Sequence, residues 1–96
     1  MTVKVVALLG LNEDEPEALA KYFGLMQPVM DRVGAKIISR DRLGDSVVGE
    51  MSVDLIVIVE YPDQSSVNEV FNGPEYETAR EYRNKAFSAY SIQLMH

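Results

Sequence analysis

The segment Asp54-Leu55-Ile56-Val57-Ile58-Val59-Glu60-Tyr61 constrains the fold of this chain more than any other. It is apolar at odd and even positions alike. Successive side chains of a strand point to opposite faces, so a strand of this kind needs cover on both sides. The chain has 96 residues, 47% of them hydrophobic, enough for one core, which such a chain fills by burying roughly 60–65% of the surface its unfolded form exposes. We therefore read residues 1–96 as one domain. One face of its sheet is left for a partner.

The remaining elements follow from periodicity. Thr2 to Leu11 reads as a strand ending near Gly10. The acids Glu13, Asp14, Glu15 and Glu17 around Pro16 mark a helix start, because both acid and Pro suit a first helical turn. Their nearly consecutive spacing cannot converge on one metal ion. Leu19, Tyr22, Phe23, Met26, Val29, Met30 and Val33 then recur at three- and four-residue steps, the signature of an amphipathic helix. Pro28 lies inside it and predicts a bend near Gly24, and Gly34 closes it. Ala35 to Arg42 reads as a second strand and the segment above as a third. Asp63 or Ser65 can cap a helix that Asn72-Gly73-Pro74 interrupts and that resumes from Glu75, bringing Tyr76, Ala79, Arg83 and Ala86 onto one face. Phe87 to Met95 is the last strand, with Tyr90, Ile92 and Leu94 on one face.

Strand, helix, strand, strand, helix, strand is the split βαβ order of an α+β ferredoxin-like sandwich: four antiparallel strands carrying the helices on a single face. The other face would expose the doubly apolar third strand, and exposed apolar patches of that kind mark interaction surfaces. A second copy packed sheet to sheet about a two-fold axis is the simplest cover. The pattern thus predicts a homodimer.

Composition removes several functions. The net charge of −6 and a pI of about 4.6 disfavour nucleic acid and anionic membranes, which need clustered Lys and Arg. Cysteine is lacking and the single histidine is His96, so no thiolate nucleophile, no His-containing triad and no Cys/His metal site is expected. The opening segment has neither a basic leader nor the ~20 apolar residues of a membrane span, which points to the cytoplasm.

Five residues stand out as ligand-binding candidates. Arg83 sits on the apolar face of its helix, where its charge needs a carboxylate, an anion or a route to solvent. Glu60, at the end of the third strand, is the nearest intrachain partner to expect, and a Glu60–Arg83 pair would tie helix to strand. Tyr22 and Tyr76 each lie on a helix face aimed at the sheet, where a hydroxyl either completes the core or meets an oxygenated ligand. Arg40, on one strand face with Arg42, is either a surface charge or a guide for anions.

Val57-Ile58-Val59-Glu60-Tyr61-Pro62-Asp63, Gly73-Pro74-Glu75-Tyr76, Ala79 and Arg83, with Tyr22, Gly34 and Gly49, resemble the short bacterial proteins of the domain of unknown function numbered thirteen-thirty, within the dimeric α/β-barrel superfamily. Tyr61 departs from a more usual Phe, and Gly73-Pro74 from a more usual Ser before Glu-Tyr. The resemblance implies the fold and the dimer, with superfamily relatives that include cofactor-free monooxygenases, lactone isomerases, haem enzymes and non-catalytic proteins. Haem is the least supported of these, with the one histidine at the chain end and cysteine lacking. Two functions remain: a small dimeric protein binding a compact oxygenated or aromatic molecule between helices and sheet, or an enzyme of the monooxygenase or isomerase kind working without cofactor or metal.

Overall fold

A computed structural model describes residues 1–96. In chain order the elements are β1 (Val3–Leu11), α1 (Pro16–Val33), β2 (Lys36–Arg42), β3 (Leu55–Tyr61), α2 (Gln64–Phe71), α3 (Pro74–Ala86) and β4 (Phe87–Leu94). The strands form one antiparallel sheet in the order β2-β3-β1-β4, the ferredoxin-like arrangement expected of that element order. The second crossover is divided into α2 and α3 at the Asn72-Gly73-Pro74 break.

Local chemistry accounts for the boundaries. Pro16 occupies the first turn of α1, where its missing N–H costs nothing. Gly34 ends that helix at φ +80°, its N–H donating to Asp31 O, while the N–H of Ala35 reaches back to Met30 O. This left-handed cap closes off the last carbonyls and favours glycine. Pro28 lies on the exposed side of α1 and does not end it: the helix continues to Val33. At α2 the Asp63 carboxylate accepts from the backbone N–H and the hydroxyl of Ser66, both at 2.8 Å.

The core lies between the helices and one face of the sheet. Val5 and Leu9 of β1, with Leu55, Val57, Val59 and Tyr61 of β3, pack against Ala18, Tyr22, Met26 and Val29 of α1 and against Val67, Val70, Tyr76 and Ala79 of the second crossover. On β3 buried residues alternate strictly with half-buried ones. The half-buried set, Ile56, Ile58 and Glu60, faces away from the helices. In register, Ile58 stands opposite Val6 and Ile56 opposite Leu8, giving a two-by-two apolar block at the middle of the open face. Ser91 and Gln93 of β4 flank it on one side, Ser39 and Asp41 of β2 on the other. The two-sided hydrophobicity of β3 is thus real, and only its helix-facing half is satisfied within one chain.

Between β2 and β3, residues 43–54 form an exposed arm in which Val47 and Val48 are almost fully solvent-accessible. Its return is stitched to β1: Asp54 N–H donates to Leu9 O at 2.9 Å, and the Asp54 carboxylate accepts from Leu11 N–H at 3.2 Å. Gly10 permits this approach, since a Cβ there would stand 2.2 Å from Ser52 O.

Candidate functional site

α1, α3 and β4 bring three phenols and one guanidinium together. Tyr22 reaches the sheet from the buried face of α1 and Tyr76 from the first turns of α3. Tyr90 rises from the helix-facing side of β4, opposite Leu9. The Tyr22 and Tyr90 hydroxyls lie 2.5 Å apart. Tyr76 Oη donates to Tyr90 Oη at 3.1 Å and accepts from Arg83 Nη1 at 2.8 Å. Arg83, two turns along α3 from Tyr76, also stacks over two rings, its guanidinium carbon 5.6 Å from the Tyr76 centroid and 5.2 Å from that of Tyr90. Such cation–π placement holds a charge over an apolar surface that lacks a counter-ion. Phe87 buttresses the group edge-on against Tyr22, with centroids 5.0 Å apart.

Burial sets the protonation of these groups. It pushes Tyr22 up to about 12, partly opposed by its bond to Tyr90. Tyr90 is raised well beyond the usual phenol range, first by burial and then by Tyr22 beside it. At neutral pH both are neutral phenols that retain their protons and serve as hydrogen-bond donors, not bases.

Beside the cluster a cleft of about 350 Å³ opens between α2, α3 and the sheet. Val5, Val67, Phe71 and Ile92 make most of its wall, and Tyr76, Tyr90 and Gln64 supply the polar groups. The Gln64 side-chain amide donates to Asn68 Oδ1 at 3.2 Å, so Tyr76 and Tyr90 form the polar pole nearest the cluster. An apolar pocket with a few converging polar groups is the usual form of a small-molecule site.

Three of the five sequence candidates, Tyr22, Tyr76 and Arg83, thus meet at one place. Glu60 and Arg40 do not join them. Glu60 pairs in register with Lys4 and Lys36 on the open face, whereas Arg83 lies over the helix-facing side, so the expected Glu60–Arg83 pair does not form. The tyrosine hydroxyl, the two rings and contact with solvent settle the Arg83 charge instead. Arg40 is exposed on β2, with β3 and β1 between it and Tyr90 on β4. Tyr90 itself is the residue that sequence reasoning missed. Its alternation with Ile92 and Leu94 placed it on an apolar face, and matching that face to the sheet-directed Tyr22 and Tyr76 would have found it.

Fold and cleft define the class of protein first: ferredoxin-like α+β. A protein of unknown function from Rhodopseudomonas palustris superposes with a TM-score of 0.83 at 23% identity, over 98% of this chain and 80% of that one. A dimeric protein of unknown function and ferredoxin-like fold from Bacteroides fragilis gives 0.60 at 13% identity, covering 99% and 95%. SnoaB, a cofactor-independent oxygenase from Streptomyces nogalater, gives 0.65 at 10%, covering 99% and 91%. The chain belongs to the family described as Domain of unknown function (DUF1330), whose model matches residues 5–95. No curated protein matches it. No helix is long and apolar enough to cross a membrane.

Proposed function

We propose that the protein is a homodimer, joined through the open sheet face, that binds a compact oxygenated or aromatic molecule in the cleft between α2, α3 and the sheet. The observation that carries the binding reading is the conjunction of an apolar cleft with a phenol pair wired to a guanidinium. Its volume lies at the small end of the ~300–1,000 Å³ span of ligand pockets, which suits a single ring or a short branched chain. The wall contains neither carboxylate nor imidazole, and the buried Tyr90 phenol holds its proton, so the site is equipped to hold an oxygen rather than to remove a proton from carbon. This favours a binding protein over a cofactor-free oxygenase or isomerase, although SnoaB shares the fold.

The dimer reading rests on the anatomy of the open face. An apolar centre of Val6, Leu8, Ile56 and Ile58 with a rim of Ser39, Asp41, Ser91 and Gln93 has the layout of a protein–protein interface.

Thermal unfolding in the presence of benzoate, phenylacetate and a five-membered lactone tests the binding reading. A ligand of the native state at 100 times its Kd adds about 2.7 kcal/mol, so at least one of these compounds should raise Tm progressively with concentration. An unmoved Tm across the series at millimolar concentrations would refute it.

A further inference from the structure

Counting protons around the tyrosine cluster gives the site a polarity. Arg83 has only protons to give, and Nη1 gives one to Tyr76 Oη. Tyr76 then gives its own proton to Tyr90 Oη. One bond remains to orient, between Tyr22 and Tyr90, where either hydroxyl can be the donor. If Tyr90 donates, the proton of Tyr22 is left without an acceptor deep in the core, where the residue is 7% exposed. An unpaired hydroxyl there loses its hydration and gains nothing in return. If Tyr22 donates, Tyr90 accepts twice and every buried proton is used. The one left over belongs to Tyr90, which lines the cleft.

Resting on the reading of the cleft as a ligand site, we infer that the site is built for hydrogen-bond acceptors: compact molecules that present a carbonyl or carboxylate oxygen to the Tyr90 hydroxyl. Two bonds received by Tyr90 Oη, one of them backed by a cation, polarise its O–H and make it a stronger donor. The Arg83 charge 5.2 Å from the Tyr90 ring favours a partial or full negative charge on the ligand oxygen. Arg83 acts through Tyr76 and Tyr90 and is a positioning residue. The ligand's apolar body lies against Val67, Phe71 and Ile92.

Four probes of nearly one shape separate the possibilities: acetophenone and benzoate, which present acceptors; ethylbenzene, which presents neither donor nor acceptor; and benzylammonium, which only donates. Dissociation constants come from NMR titration of the full chain. Acetophenone should bind about three- to tenfold more tightly than ethylbenzene, the worth of one net hydrogen bond, and benzoate at least as tightly as acetophenone. Benzylammonium should bind least well. Tyr90→Phe keeps the ring and removes the donor; it should collapse the acetophenone-to-ethylbenzene ratio toward one. Arg83→Met should shrink the acetophenone-to-ethylbenzene ratio, an effect that a loss of packing alone, which weakens both probes alike, would not produce. Tyr22→Phe removes one of the two bonds that Tyr90 Oη receives and should reduce the ratio only in part, leaving acetophenone the tighter ligand. Ethylbenzene or benzylammonium binding as tightly as acetophenone, or a ratio that survives Tyr90→Phe, would overturn the inference while leaving the cleft a binding site. Failure of all four probes to bind the unaltered protein would overturn the cleft reading and the inference with it.

Discussion

Arg83 shows how a residue of awkward chemistry is settled. Its helix turns it toward an apolar surface, and two aromatic faces and a phenol oxygen hold its charge where a carboxylate was expected. The stability effects of Glu60→Gln and Arg83→Met should therefore add to within about 0.5 kcal/mol in a double-mutant cycle followed by urea unfolding, because the two groups lie on opposite sides of the sheet. The tyrosines make a second test. Burial pushes Tyr22 and Tyr61 each up to about 12 from an ordinary value near 10. A folded value above the unfolded one means that the stabilisation is complete below pH 10 and is lost as the pH rises toward 12. Stability should accordingly fall by up to roughly 2–3 kcal/mol per buried phenol across that window. Phenolate absorbance should show Tyr22, Tyr61 and Tyr90 ionising together with unfolding, in a single steep step. Gradual, independent titration of all five tyrosines in folded protein would contradict the burial described here.

At the scale of elements, most of the architecture was legible because it depends on local signals. The Pro16 start, the Gly34 stop and the break at Asn72-Gly73-Pro74 each act within a few residues and fall where the sequence placed them, and of the two cap residues it offered, Asp63 and Ser65, Asp63 is the one that caps α2. The cluster was legible only in pieces. Tyr22 and Tyr90 lie 68 positions apart and meet because β1 separates β4 from β3, a relation that no helical or strand period records. The Glu60–Arg83 pairing failed for a related reason: the parity of a strand decides which face a side chain takes, and Glu60 shares its parity with Ile56 and Ile58 rather than with the buried residues of β3. Two substitutions probe the element joints. Asp63→Ala removes both bonds to Ser66 and should cost about 1 kcal/mol in chemical denaturation. Gly10→Ala would force its Cβ against Ser52 O and Ser88 Oγ, and should cost about 1–3 kcal/mol unless the arm shifts.

Across the whole molecule the open face dominates. Ile58→Glu would set a carboxylate in the middle of the proposed interface, so sedimentation should show the dimer converted to monomer or aggregate. An unchanged dimer would place the contact elsewhere. The strand order has a consequence for biosynthesis. β1, the first strand made, sits in the interior of the sheet and must wait for β4, the last, to pair along its second edge. Until Phe87–Leu94 has been translated, Val-Lys-Val-Val-Ala-Leu-Leu-Gly-Leu presents an unpaired apolar edge, the kind of surface that recruits foreign strands. Tyr90 arrives with that same closing strand. A ribosome stalled short of β4 should thus release a chain that is both aggregation-prone and without the hydroxyl at the centre of the proposed ligand site, so that closure of the sheet and completion of that site depend on the same eight residues.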